Sequence, residues 1–336
     1  MQVRFATANL FNYLAPPNAF YEFNNIYEQT QWQQKQRWLS QKLTTLNADV
    51  IGFQEVFSPH ALRDQVAVLG YPYFEVVDTP HVSDDYIYSS PVVGIASRFP
   101  LSEVAAVEAS LDGFHFHRKP LRATLNHPAL GQVDVYVVHF KSQRPMLHEP
   151  IGDTLVDAWQ QELQGRWQSA MQRGQEAHLL HQAIVQRKQQ RQHPVVLMGD
   201  FNQVLSSMEF AALRATHRFR QPETCRPLIP YHLLDSWTLF SHSGDEQRQP
   251  THYTGAAGQV LDYILLSSEF SRDADYPIAL VSDYHVEDQH LINPHFDTDR
   301  FASDHALVSV TVECAKSLDH LFTRPSLLNN DPESRS

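Results

Sequence analysis

Residues Pro194–Asn202 read PVVLMGDFN, an apolar run followed directly by a Gly-Asp-x-Asn motif. An apolar run of this length that is closed by turn-forming residues predicts a buried strand. Side chains two positions apart on a strand point to the same face, so Asp200 and Asn202 would be directed together at a ligand above the end of a sheet. Because Gly, Asp and Asn are also common in turns, the motif alone is equally typical of a plain strand-to-turn junction.

Several other strand-like runs carry polar side chains at one end. A single Asn, Asp or His at such a place most often caps a turn or stays solvated, but a buried strand position is costly for a charge. The repetition over separate runs therefore predicts that these ends meet at one catalytic site. The runs are Val3–Asn9, Asp49–Glu55 ending on Gln54 and Glu55, Val133–Val138 followed by His139, Val260–Leu266 with Asp262 inside it, and Ala306–Val312 preceded by Asp304 and His305.

The set of segments, in this order, resembles the endonuclease/exonuclease/phosphatase superfamily, which includes deoxyribonucleases, abasic-site endonucleases, sphingomyelinases and inositol phosphatases. The resemblance runs from Asn9 to about Val312. It implies a four-layer α/β sandwich, with two mainly antiparallel mixed sheets packed face to face and helices outside. Alternating strand and helix patterns by themselves indicate only the α/β class. We therefore expect one catalytic domain over residues 1–314 and a disordered polar tail over residues 315–336.

The resemblance also implies roles for five catalytic residues. Asp200 would orient or deprotonate the attacking water, and Asn202 would hold the phosphoryl oxygens. His305 would contact the phosphate, with Asp262 as the carboxylate that fixes its ring. His139 would stabilise the scissile phosphate or protonate the leaving oxygen. Either role of His139 suits a near-neutral pKa.

Oxygen ligands for a metal ion are few in this set. Glu55, Asn9 and Asp304 are the candidates, and Mg²⁺ prefers one or two carboxylates with several retained waters. The sequence therefore predicts a Mg²⁺ site that Mn²⁺ can also occupy, and this oxygen set does not suit zinc. The segment Asp273–Arg300 holds further histidines and acids that could bind a second metal, but a solvated loop at the rim of the active site is the favoured interpretation.

Two basic residues are candidates for substrate binding. Arg118 lies where the deoxyribonuclease branch has an arginine, and Lys141 comes two residues after His139. Either could instead be an ordinary surface residue. The run Pro91–Ser97 has no carboxylate, although the deoxyribonuclease branch has a glutamate there, so no partner for His139 is predicted.

Length and charge limit the class of protein. The chain has 336 residues and a formal net charge of -12, which argues against a broad basic face for nucleic acid. Its apolar stretches are shorter than the roughly 18 residues that span a bilayer, and its first residues show no leader. With two cysteines, the chain is compatible with a reducing compartment. We expect a cytoplasmic monomer without a membrane span or an obligate protein partner.

Residues Thr154–Gln192 have helical periodicity and predict one or two amphipathic helices that end near Pro194. Trp159, Leu163 and Trp167 share one spacing in this segment. Core packing is the favoured interpretation for the two tryptophans, and stacking on nucleic-acid bases is the alternative.

The function predicted from the sequence is divalent-metal-dependent hydrolysis of a phosphodiester, with DNA or RNA as candidate substrates. A phosphomonoesterase or a lipid phosphodiesterase is the alternative within the same chemistry. A catalytically silent interaction protein on the same fold is the alternative of a different class, but it would predict eroded site residues.

Overall fold

The computed structural model describes residues 1–146, 152, 154–214, 222–241 and 247–314. The predicted tail over residues 315–336 lies outside the described residues. The strands are β1 (Gln2–Tyr13), β2 (Ala19–Phe20), β3 (Val50–Val56), β4 (Tyr73–Val76), β5 (His81–Ser83), β6 (Ile87–Ser90), β7 (Val92–Ser97), β8 (Leu101–Ala106), β9 (Leu121–His127), β10 (Gly131–His139), β11 (Val195–Asp200), β12 (Leu233–Asp235), β13 (His252–Thr254), β14 (Ala257–Gln259), β15 (Asp262–Ser267), β16 (Ala279–Glu287) and β17 (Leu307–Cys314). The α-helices are α1 (Gln29–Leu46), α2 (Pro59–Val68), α3 (Leu155–Arg191), α4 (Ala211–Arg214), α5 (Ser236–Phe240), α6 (Gln289–Ile292) and α7 (Phe296–Asp299), and short 3₁₀ helices cover Met208–Phe210, Pro222–Tyr231 and Ser268–Phe270.

Two six-stranded sheets form the body of the protein, in the orders β16-β17-β1-β3-β7-β4 and β12-β15-β11-β10-β9-β8. Within these two sheets the central pairs, β1 with β3 and β10 with β11, are parallel and the other described pairs are antiparallel. Parallel neighbours require a crossover connection, which α1 supplies in the first sheet and α3 in the second. The predicted pair of mainly antiparallel mixed sheets is confirmed.

The two sheets pack face to face around a shared core. Phe5 and Val50 of the first sheet and Val137 and Met198 of the second belong to this cluster. The sheets approach so closely at Gly52 that a Cβ atom there would lie 3.0 Å from Val137 and 3.2 Å from Met198. Helices α1 and α2 cover the outer face of the first sheet, and α3 covers the outer face of the second, which completes the four layers.

The polar strand ends meet at one edge of this sandwich. In the second sheet, His139 at the end of β10 is in register with Asp200 at the end of β11, and Asp200 is in register with Asp262 at the start of β15. In the first sheet, Asn9 of β1 is in register with Gln54 of β3. Strand β17 runs antiparallel to β1 and begins just after His305, so its entry lies at the same edge.

The segment from Thr154 to Gln192 forms one helix, α3, as predicted. It begins at a capping box between Thr154 and Asp157 and ends at Gln192, whose backbone is left-handed. Ala177, Leu180 and Ile184 of its C-terminal half pack on the second sheet. The chain then turns directly into β11.

The prediction that the tryptophans of α3 pack in the core is wrong. Trp159 is 59% exposed and Trp167 is 64% exposed. The physical reason is the length of the helix: Arg173 donates to the Lys141 carbonyl, just past the end of β10. Before Arg173, the buried residues of the helix are Gly165 and Ser169, which contact Met146 and Arg144 of the loop after β10. The tryptophans in this half therefore have no sheet beneath them to pack on.

The loop predicted over Asp273–Arg300 is also wrong. Residues Ala279–Glu287 form the edge strand β16, which pairs with β17, and α6 and α7 follow. Val281, Tyr284 and Val286 face the core, so burial on one face determines the strand. His285 and Glu287 form an ion pair in this strand. None of the described helices is long and apolar enough to cross a membrane.

Candidate active site

A cleft of about 330 Å³ opens at the edge where the polar strand ends meet. Seven of the ten predicted site residues line it, together with residues that the sequence did not single out. No residue of the segment Asp273–Arg300 lines this cleft. The lining residues discussed below are Phe11, Tyr21, Glu55, Arg118, His139, Arg144, Asp200, Asn202, His252, Asp304 and His305.

Asp200 lies at the centre of the site and is almost fully buried. Its Oδ2 accepts a hydrogen bond from Asn9 Nδ2 at 3.0 Å and lies 3.4 Å from His139 Nε2 and 3.9 Å from His305 Nε2. Burial raises the pKa of Asp200 to about 7; the charge of His305 opposes this rise, and the charge of Asp262 adds to it. A carboxylate with a pKa near neutrality can accept a proton from water at physiological pH.

Asn202 reaches the cleft by a turn and not by strand alternation. Strand β11 ends at Asp200, and Asn202 has a left-handed backbone with φ of 56°. Its backbone N–H donates to Asp200 Oδ1 at 2.7 Å, and its side-chain amide donates to the Phe140 carbonyl at 3.0 Å. In the Gly-Asp-x-Asn motif, Gly199 and Asp200 thus belong to the strand, and Asn202 belongs to the turn that follows it.

His305 and Asp262 form a hydrogen-bonded pair. His305 Nδ1 lies 2.8 Å from Asp262 Oδ2, and Asp262 is fully buried behind the histidine. Burial alone would lower the pKa of His305, but the carboxylates of Asp262 and Asp200 outweigh it and raise the pKa well above the usual value. His305 therefore carries a positive charge into the cleft at neutral pH.

His139 differs from the expectation of a near-neutral pKa. Its ring is almost fully buried, and burial lowers the pKa well below the usual value, with a further decrease from the charges of Arg118 and His305. A carboxylate does lie beside it, but this is Asp200 of the neighbouring strand and not a residue of Pro91–Ser97. A neutral His139 can donate a hydrogen bond, but it cannot serve as a proton donor at neutral pH.

Of the three predicted metal ligands, Glu55 and Asp304 line the cleft and Asn9 does not. Glu55 Oε2 accepts the Asn12 N–H at 2.8 Å, which leaves its other oxygen for a ligand. Both ends of the Asn9 amide are engaged, since Oδ1 accepts the Phe11 N–H and Nδ2 donates to Asp200. The contacts of Asn9 therefore suit the orientation of Asp200 better than metal ligation.

The two predicted substrate-binding residues also differ from each other. Arg118 lines the cleft, and one of its guanidinium nitrogens donates to the Phe140 carbonyl at 3.4 Å. Lys141 does not line the cleft, because its ammonium group donates to the carbonyls of Ser142 and Arg144. Its role over the phosphate is not supported by these contacts, whereas it stabilises the rim segment that follows β10.

Buried Glu176 of α3 joins the two basic segments. Its carboxylate oxygens accept the backbone N–H groups of His117 at 2.7 Å and of Lys141 at 2.8 Å. The residue before Arg118 and the first residue after Phe140 are thereby held by one side chain. Helix α3 thus fixes the basic rim of the cleft from outside the sheet.

Several lining residues were missed from the sequence. Phe11, Tyr21, Arg144 and His252 belong to no strand-end motif, because they come from bulges, loops and a hairpin. Phe11 and Tyr21 have left-handed backbones with φ of 48° and 63°, as does Glu55 with φ of 60°. Non-glycine residues in this region are strained, and such strain concentrates at functional sites. Positive φ values cannot be predicted from these residue types.

Comparisons with known proteins show the family and the fold. The sequence model of the Endonuclease/Exonuclease/phosphatase family matches residues 25–305. No curated protein sequence matches the chain significantly.

Solved structures share the fold at low sequence identity. The human Nocturnin catalytic domain with bound sulfate superposes with a TM-score of 0.57 at 15% identity, over 93% of this chain and 94% of that one. A humanized D. rerio TDP2 gives 0.57 at 15% identity, over 93% and 99%. An AP endonuclease from Archaeoglobus fulgidus gives 0.54 at 13% identity, over 92% and 98%.

Proposed function

This chain belongs to the endonuclease/exonuclease/phosphatase family, and from that membership we propose that it is a divalent-metal-dependent phosphodiesterase. Family membership supports phosphoesterase chemistry in general. The single observation that carries the finer proposal is the arrangement around Asp200, where a buried carboxylate with a pKa near 7 lies 3.9 Å from the positively charged ring of His305.

Some residues of the cleft can bind the phosphoryl group, and Asp200 can act on the attacking water. Arg118, the His305 imidazolium and the Asn202 amide can donate hydrogen bonds to the phosphoryl oxygens, where negative charge increases in the transition state. Asp200 can accept the proton of a water molecule positioned between itself and the phosphorus. As the oxygen of that water forms its bond to phosphorus, the bond to the leaving oxygen breaks, and the leaving oxygen takes a proton from solvent.

Mg²⁺ fits the donors that the cleft offers. Glu55 has a carboxylate oxygen without a protein partner among the described contacts, and Asp304 is a second carboxylate on the same cleft. Two carboxylates with retained waters are the donor set that Mg²⁺ prefers, and Mn²⁺ can replace it. When bound, such an ion would draw charge from a phosphate oxygen as a Lewis acid.

A diester is the substrate class that the charges favour over a polyphosphorylated monoester. Arg118 and Arg144 are the arginines of the described cleft, and the Lys141 ammonium group is used by the backbone. These groups suffice for one phosphate with a single negative charge. We propose nucleic acid as the natural diester, and a cytoplasmic monomer as the working form.

The test is hydrolysis of bis-p-nitrophenyl phosphate, p-nitrophenyl phosphate, plasmid DNA and single-stranded RNA with Mg²⁺ and with a chelator. We expect a higher kcat/KM for the diesters, and no turnover with the chelator. Glu55→Gln keeps an oxygen for the Asn12 N–H but removes the charge, so it should abolish the response to Mg²⁺. Glu108→Gln, at an exposed position, is the matched control. Faster hydrolysis of the monoester, or full activity of Glu55→Gln, would refute the proposal.

A further inference from the structure

His252 is the lining residue whose contacts the proposed phosphodiesterase reaction does not use. It begins strand β13, and its backbone forms a bridge with that of His305. The two imidazole rings lie 4.9 Å apart between centroids. Asp304 precedes His305 in the chain, so the three side chains meet at the mouth of the cleft.

These three side chains have the spacing of a metal site. His252, Asp304 and His305 each offer one ligand atom, and these atoms all lie within 4.8 Å of one another. Ligands about 2 Å from one ion lie at most about 4 Å apart, so the side chains would need to approach one another by no more than about 1 Å to bind a single ion. Since all three residues line the cleft, a fourth position would face the open space.

The donor set differs in kind from the one proposed for Mg²⁺. Two imidazole nitrogens and one carboxylate oxygen are typical of zinc, which in catalytic sites binds three protein ligands and keeps one open position. Mg²⁺ is a hard ion that prefers oxygen ligands. The expectation from the sequence that zinc is unsuitable was drawn from Asn9, Glu55 and Asp304, and it did not include His252.

The hydrogen bonds of both histidines leave a ring nitrogen for a metal ion, and Zn²⁺ would displace the proton that His305 carries there. His305 Nδ1 bonds to Asp262 Oδ2 at 2.8 Å, which leaves Nε2 as the nitrogen that can bind an ion. A carboxylate behind a ligating histidine is the usual support of a zinc site. His252 Nδ1 is buried without a hydrogen-bond partner among the described residues, so the ring is not held by protein contacts at that atom.

We propose that His252, Asp304 and His305 form a binding site for one Zn²⁺ ion, and that zinc at this site blocks the phosphodiesterase reaction. The second half of the proposal rests on the proposed function, because zinc would take Asp304 away from the Mg²⁺ site and His305 away from the phosphate. The first half concerns binding alone and does not depend on turnover.

Binding is tested by titrating the whole protein with Zn²⁺ in competition with a chromophoric chelator, with Mg²⁺ in excess. His252→Phe keeps an aromatic ring next to His305 but removes the nitrogen ligands. His60→Gln, at an exposed position of α2, is the matched control, which is needed because the chain has 19 histidines. We expect one Zn²⁺ per wild-type or His60→Gln chain, and at least tenfold weaker binding by His252→Phe.

Thermal unfolding supplies the second measurement. A ligand that binds only the folded state raises Tm, so Zn²⁺ should raise the Tm of the wild type and of His60→Gln but not that of His252→Phe. The Tm of each variant without zinc shows directly that it is folded. Equal zinc affinity for wild type and His252→Phe, or the absence of a bound ion in the wild type, would overturn the site.

The inhibition is tested separately with bis-p-nitrophenyl phosphate and Mg²⁺. We expect added Zn²⁺ to inhibit the wild type, and inhibition of His252→Phe, measured relative to its own rate without zinc, to need at least tenfold more zinc. Zinc that binds at the site but leaves hydrolysis unchanged would overturn the blocking role and keep the site. A protein that binds zinc but hydrolyses no phosphate ester would refute the proposed function and leave the site intact.

Discussion

At the scale of single residues, Asp200 is defined by its partners more than by its own chemistry. Asn9, Asn202 and His139 surround its two oxygens, and the side chain is almost fully buried at the base of the cleft. Desolvation disfavours the charged form of a carboxylate, which places the proton equilibrium of Asp200 close to neutral pH. The contact with Asn9 joins the two sheets at this atom.

The pH dependence of activity follows from this residue. With a pKa of about 7, Asp200 is protonated below pH 7 and cannot accept a proton from water. We therefore expect kcat/KM for a diester at fixed Mg²⁺ to rise about tenfold per pH unit below 7 and to level off above it. A profile that is flat between pH 5 and pH 8 would contradict the assignment of Asp200 as the base.

Asp262→Asn gives this prediction a second readout. The Asp262 charge raises the pKa of Asp200, and Asp200 itself still favours the charged form of His305, so removal of Asp262 should move the rising part of the pH profile to lower pH. The same change removes the anionic partner of His305 and should lower kcat by at least tenfold. A variant that only destabilised the fold would lower kcat without shifting the pH at which kcat/KM rises.

Lys35 is a buried cation close to the proposed Mg²⁺ site. It is 2% exposed, and its ammonium nitrogen lies 3.4 Å from the Phe301 carbonyl and 5.6 Å from the ring centroids of Phe11 and Tyr27. Burial lowers its pKa to about 8, while the charges of Glu55 and Asp304 raise it. The unfolded chain holds this proton more tightly than the folded chain does.

We expect Lys35→Met to stabilise the protein at pH 7. A decrease in pKa from 10.5 to about 8 corresponds to a penalty of about 3 kcal/mol, which is fully present below pH 8. The penalty disappears as pH rises from 8 to 10.5, because the unfolded state binds more protons in that window. Denaturant unfolding at pH 7 and pH 10 measures it: the advantage of the variant should shrink at the higher pH. A variant less stable than wild type at both values would contradict the expectation.

At the scale of elements, the catalytic residues depend on how strand ends are finished. Gly199 precedes Asp200 and has φ of 150°, and a Cβ atom on it would lie 2.0 Å from the Val138 carbonyl oxygen. No side chain fits between β10 and β11 at that level. The glycine of the Gly-Asp-x-Asn motif therefore allows the two strands to stay paired up to His139 and Asp200.

Gly199→Ala should separate these strand ends. We expect a loss of several kcal/mol in the free energy of unfolding, as for other overpacked and strained positions, together with loss of activity. Gly113→Ala is the control, because Gly113 also has a positive φ of 76° but no atom lies within 4 Å of the added Cβ. The control should lose only about 1 kcal/mol. Equal losses of stability for the two substitutions in thermal unfolding would contradict this prediction, because they would show that the positive φ and not the clash with β10 causes the loss.

At the scale of the whole molecule, the formal charge of -12 opposes the approach of a polyanion. In the proposed reaction Arg118 and the His305 imidazolium contact one phosphate and Arg144 can contact a second, and each neutralised phosphate contributes a slope of about −0.9 to the salt dependence of binding. The logarithm of 1/KM for plasmid DNA should therefore fall with the logarithm of salt concentration with a slope of about −2 or shallower. Steady-state rates between 50 and 200 mM salt measure it, and a slope near −5 would indicate a cationic surface outside this cleft.

Much of the architecture was predictable from local patterns. Burial of both faces makes the core strands apolar throughout, so β1, β3, β10, β11, β15 and β17 are evident in the chain. Polar residues at their ends, such as Asp200 and His305, interrupt those patterns and are visible for the same reason. The helix α3 is predicted by its 3.6-residue periodicity. This periodicity does not indicate where the sheet beneath the helix ends, so the burial of Trp159 was predicted wrongly.

The sequence by itself determined the fold class and the strand ends that meet at the cleft, and it supplied the candidate acids and bases there. Only the tertiary structure decided that Asn9 holds Asp200, that Lys141 serves the backbone, that His139 is neutral and that His252 lies against His305. The physical reason is that patterns along the chain report burial and backbone conformation over a few residues. Hydrogen-bond partners, pKa values and ligand sets depend on distances between residues that are far apart in the chain, and packing of the two sheets fixes those distances.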